Sequence, residues 1–162
     1  MNIAASIEIA YTDMLRENGE LGADVTLRPF QSLIVEPKIS RRGQREFPCV
    51  DIRASSPFTE DQTTWYCDVS ILCKYHNEED KNHSKLRDTY GAVQAVLDSL
   101  FDQQRNDGSV WTDFVANVTS DDHAGDAYSI GGIDYVDAGA PYEEGESINV
   151  IPITQRVHFG RC

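Results

Sequence analysis

The alternation between Trp65 and Tyr75 restricts this chain more than any other stretch of it. Trp65, Cys67, Val69, Ile71, Cys73 and Tyr75 occupy every second position, with Tyr66, Asp68, Ser70, Leu72 and Lys74 between them. Successive strand residues point to opposite faces, so this pattern predicts one long strand with a core face and a partly wet face. A strand of that kind needs sheet neighbours and a layer over its apolar side.

The neighbours are legible in outline. The spacing of Ile3, Ile7, Ala10 and Met14 predicts an N-terminal amphipathic helix, with Glu8, Asp13 and Glu17 elsewhere on the wheel and Gly19 ending it. The apolar run in Ser32 to Glu36 and the segment FPCVDIRA, Phe47 to Ala54, read as two strands. Leu86, Tyr90, Val93, Leu97 and Leu100 predict a long helix from about Asp80 to Gln104. Val110 to Val118 fits a strand or a short helix. Gly131-Gly132, flanked by two β-prone runs within Ala127 to Val136, has the composition of a two-residue hairpin turn. Ile151, Ile153, Gln155, Val157 and Phe159 alternate to make the closing strand. Three consecutive strands imply antiparallel pairing, and the helix before the last strand implies a crossover onto the same sheet. The expected fold is α+β: an N-terminal helix, a mainly antiparallel sheet with a long helix packed on one face, and an extra β-hairpin before the last strand. Residues 1–162 read as one domain, with 124–147 an acidic, hairpin-bearing insertion.

A chain of 162 residues, 40% hydrophobic and 25% charged, is neither a disordered chain nor a disulfide-stapled miniprotein. Its net charge of -13 argues against binding bare nucleic acid or an anionic membrane surface. The start, MNIAASIEIAYTDMLREN, lacks the basic n-region and apolar stretch of a secretory signal, so export is not expected. No apolar run approaches the ~18 residues of a membrane span. Cys67 and Cys73, roughly 20 Å apart along one strand, cannot bridge. Cys49, Cys67 and Cys73 read as buried thiols of a reducing compartment, and Cys162 as a free end.

Charge is unevenly placed. From Asn106 to Gln155 there is no Lys or Arg, against Asp107, Asp113, Asp121, Asp122, Asp126, Asp134, Asp137, Glu143, Glu144 and Glu146. Lys38, Arg41, Arg42 and Arg45 instead gather around Gly43, between the first two expected strands. One reading is two solvated loops. The other is a subunit interface in which the basic loop of one copy meets an acidic surface of the next, as in a head-to-tail ring. Ile130, Gly131, Gly132 and Ile133 are candidates for edge-to-edge pairing with another chain.

The chain shows no nucleophile elbow, phosphate-binding loop, dinucleotide fingerprint or zinc-hydrolase motif. His76 and His83 bracket Glu78, Glu79 and Asp80, and His123 sits among Asp121, Asp122 and Asp126, without the spacing of a known metal loop. A metal- or thiol-dependent hydrolase would have to use these histidines, that acidic loop or a strand cysteine. A monomeric host binding module is a third class. No catalytic residue, cofactor or metal is assigned.

The stretch FPCVDIRASSP, the strand WYCDVSILCKYHNEEDKNHSKLRDTYGAVQAVLDSLF running through a polar turn into a long helix, and the terminal QRVHF strand resemble the tail-completion proteins of tailed bacteriophages, the tail terminators and related head-tail joining proteins. The resemblance includes the N-terminal helix and covers most of the chain. It implies a structural, non-enzymatic virion protein of the tail or neck, assembled in the host cytoplasm. It also implies a homo-oligomeric ring, usually a hexamer, that caps the tail tube protein, ends its polymerisation and meets the head-connector protein. The genome would pass through the hole as transiting DNA, without specific binding. A lumen lined by acidic groups, with Asp121, Asp122, Asp126, Glu143, Glu144 and Glu146 as candidates, would repel its phosphates. A neck adaptor of the same virion is the nearest alternative.

Overall fold

The computed structural model describes residues 3–17, 21, 25–30, 48–76, 84–120, 128–137, 140–145 and 148–161. The elements in chain order are helix α1 (Ile3–Glu17), strands β1 (Thr26–Pro29), β2 (Cys49–Ala54), β3 (Phe58–Thr59) and β4 (Trp65–His76), helices α2 (Ser84–Gln103) and α3 (Ser109–Ser120), and strands β5 (Tyr128–Asp137), β6 (Tyr142–Glu144) and β7 (Ile148–Arg161). The sheet has the order β1-β2-β4-β7-β5, with β3 beside β4 and β6 beside β7. The expected α+β class, with its N-terminal helix and a hairpin before the last strand, is the observed one.

β4 is the axis of the sheet. It pairs antiparallel with β7 from Trp65↔Phe159 to His76↔Ile148, and with β2 from Ala54↔Val69 to Cys49↔Lys74. Its odd-numbered face carries Cys67, Val69, Ile71 and Cys73 into a core shared with Ile3, Ile7, Tyr11 and Leu15 of α1, Val93, Leu97 and Leu100 of α2, and Trp111, Phe114 and Val118 of α3. The three helices therefore lie on one face of the sheet. No helix among the described residues is long and apolar enough to cross a membrane.

Several expectations are corrected. The expected strand from Ser32 to Glu36 lies outside the described residues. A strand forms earlier, at Thr26–Pro29, and it runs parallel to β2, so only part of the three-strand antiparallel expectation holds. Val110 to Val118, which the sequence leaves open between strand and short helix, is helical, because Trp111, Phe114 and Val118 recur at helical steps and bury together. Gly131-Gly132 is not the hairpin turn: it lies inside β5, at a register shift opposite Phe159 and His158. Gly145 supplies the backbone that the hairpin needs, with φ +68°, between β6 and β7. Pro152 falls in the stretch of β7 that neither β5 nor β6 covers, so its missing N–H interrupts no ladder on that side. Glu8, placed on the polar side of α1 by its periodicity, is fully buried, and its Oε2 accepts the Ala54 N–H at 2.9 Å.

A second buried polar link joins layers. Tyr11 of α1 donates to Gln155 Oε1 of β7 at 2.8 Å, and both residues are fully buried. Burial holds the Tyr11 phenol well above its ordinary value. Tyr11 also meets Phe114 edge-on, with centroids 5.0 Å apart.

Candidate assembly surfaces

None of the helices α1, α2 and α3 lies on the even-numbered face of β4, which among the described residues holds two clusters of charge. At one end Asp51 lies directly across from Arg28 in the parallel β1–β2 pair. Arg28 donates through Nε at 2.6 Å and through a terminal nitrogen at 2.8 Å, a two-point contact on one carboxylate. Lys74 Nζ lies 2.9 Å from Asp51 and 2.5 Å from Glu144, and it is fully buried. Asp51 and Glu144 stand on strands separated by β4 and β7, so the one ammonium, carried by β4, links β2 to β6 across the sheet. Burial pushes the Asp51 carboxyl up, but hydrogen bonds from Arg28 and Lys74 outweigh it and hold the group below its ordinary range.

At the other end Asp68 and Arg156 face each other across β4 and β7. Arg156 makes two contacts to Asp68, at 2.7 and 3.2 Å. Its guanidinium lies 5.1 Å from the centre of the Phe58 ring and 5.6 Å from that of Tyr66. His158 meets Tyr66 edge-on at 4.9 Å. Its Nε2 is 2.6 Å from Asp134, an ion-pair distance for a protonated ring but outside hydrogen-bond geometry. Asp68, Arg156 and His158 each keep more than a quarter of their side-chain surface in water. Arg, Tyr and Phe are the residue types enriched where proteins meet one another.

The expected site residues divide as follows. Lys38, Arg41, Arg42 and Arg45 lie outside the described residues, as do Asp121, Asp122, Asp126 and Glu146. Glu143 is exposed on β6, whereas Glu144 turns to the buried Lys74 ammonium. Ile130, Gly131, Gly132 and Ile133 lie on β5, one of the two end strands of the sheet order. The Ile133 side chain is buried in the core, and its backbone N–H and carbonyl are both hydrogen-bonded to the Gln104 carboxamide, so residue 133 itself offers an incoming chain little. His76 ends β4, and His83 and His123 are outside the described residues. Among the described residues no three His, Cys, Asp or Glu side chains gather in a metal-holding group. Burial pushes the Cys67 and Cys73 thiols up to about 12, the opposite of what a thiolate nucleophile needs.

Sequence reasoning missed both charge clusters. An Arg or Asp at an even position of β4 or β7 signals a wet face, and only the strand register shows which residues meet there. No protein-family model matches this chain, and no curated protein does.

Proposed function

We propose that this chain is a tail-completion protein, which forms a ring on the end of a phage or phage-like tail tube, stops its growth and joins it to the head connector. The observation that carries the reading is the two-sided sheet. Helices seal one face, while the opposite face presents the half-exposed group of Phe58, Tyr66, Asp68, Arg156 and His158. That division suits a subunit that works by contact, with one side for its own stability and another for its neighbours. The order of elements supports it too. The FPCVDIRA strand, an N-terminal helix, a long strand leading to a long helix, and a terminal strand are the features on which the resemblance rests, and the terminal strand pairs with the long one.

Function on this reading is geometry. The ring must match the symmetry of the tube and present no further surface that accepts a tube subunit. The basic segment from Lys38 to Arg45 would meet an acidic neighbour, and the acidic residues of the 106–155 region would keep transiting DNA from adhering. Tagged protein produced during infection should copurify with tail tubes. Recovery with filled heads alone would favour the neck adaptor, and recovery with neither would contradict a place in the virion. Replacing Arg41 and Arg42 by Glu should weaken that association.

A further inference from the structure

β5 is an edge of the sheet, and edge strands invite unwanted pairing because their outward N–H and C=O groups stand unpaired. At Ile133 those groups are not open. The carboxamide of Gln104, the residue after α2, accepts the Ile133 N–H at 2.9 Å and donates to the Ile133 carbonyl at 2.9 Å. Those are the two hydrogen bonds that a neighbouring antiparallel strand would make to this residue. One side chain thus stands in for a missing strand.

The glycine pair explains how the carboxamide fits. A Cβ on residue 132 would lie 3.2 Å from Gln104 Oε1, tighter than ordinary contact, whereas one on residue 131 would meet only the His158 carbonyl, at 3.6 Å. Gly132 leaves space for Gln104 without adopting positive φ. The register shifts at Ile130/Gly132 and Tyr135/Asp137 irregularise the same edge from either side.

We propose that Gln104 is an edge guard, which keeps β5 of one subunit from adding to β5 of a second copy. The other end of the sheet, β1, is only four residues long and ends in Pro29, which has no N–H to offer. The ten-residue β5 is the longer template, so a second β5 is the occupant against which the guard acts. The inference does not rest on the ring reading, because it concerns an association that the guard prevents.

The test compares wild type with Gln104→Ala and Gly132→Val, the second leaving Gln104 in place but crowding its carboxamide. Hydrogen exchange of the Ile133 amide should become about tenfold faster in both variants in dilute solution, as expected on losing its acceptor. As concentration rises, both should form species of twice the wild-type mass, with Ile133 regaining protection in them. If one variant fails to fold, the other carries both readouts. Wild-type exchange at Ile133 in the variants, or faster exchange with no added mass at any concentration, would overturn the guard. A wild-type protein that never forms rings would leave this comparison intact, so the two proposals fail separately.

Discussion

The Lys74 and Arg156 clusters share one face of one sheet and use the same chemistry, a cation bridging to a carboxylate across strands, yet they serve different ends. Lys74 and Asp51 are withdrawn from water, where an unpaired charge is severely unfavourable, so each holds the other and Arg28 and Glu144 in place. Arg156 and Asp68 keep contact with water, where an ion pair contributes about 1 kcal/mol or less. The buried group fixes how the strands meet. The open one leaves a charged, aromatic surface for something else to cover.

The sharpest way to break that contrast is Lys74→Ala. It removes the central cation and leaves the Asp51 carboxylate with Arg28 as its remaining close partner, at a cost of about 3–5 kcal/mol in a chemical denaturation curve. A loss under about 1 kcal/mol would place the Lys74 group in the same class as the surface pair. Acid provides a second, smaller test. The folded-state pKa of Asp51 lies below its unfolded value, so its stabilising contribution is complete above about pH 4 and disappears as pH falls through the lower folded value. Melting temperatures of wild type and Asp51→Asn should differ at neutral pH and converge below about pH 4, and a constant gap would contradict the assignment. The smallest effect on stability belongs to Arg156→Ala, at about 1 kcal/mol or less. The same substitution should nonetheless reduce assembly or tail association in sedimentation, and a variant that assembles normally would show that the open cluster touches no partner.

The contrast also marks how far the residues alone could be read. Strict two-residue alternation exposed β4 and β7, and Leu86, Val93, Leu97 and Leu100 exposed α2, because a one-sided core writes its period directly into the chain. α3 stayed ambiguous, since Val115 beside Phe114 blurs the period of a twelve-residue helix. β1 carries only TLRP, too short and too proline-bounded to announce a strand, and its parallel pairing has no local signature. Gly131-Gly132 misled for a physical reason: glycine permits a turn, but it also permits the close approach of Gln104, and the two uses are identical in composition. Lys74 sits where alternation predicts an outward residue, and its burial depends on carboxylates from Asp51 and Glu144, the latter seventy positions away. Periodicity reports which side a residue faces, and it says nothing of what lies over that side.

The central claim is that this protein works by fitting against copies of itself and other tail components. The most direct test is the native mass of the purified protein by light scattering, with negative-stain imaging, measured alone and with isolated tail tubes. The account predicts closed rings with a mass near six times the 18.1 kDa of one chain, free or seated on tube ends. A particle of single-chain mass in both conditions, with tube ends bare, would contradict it.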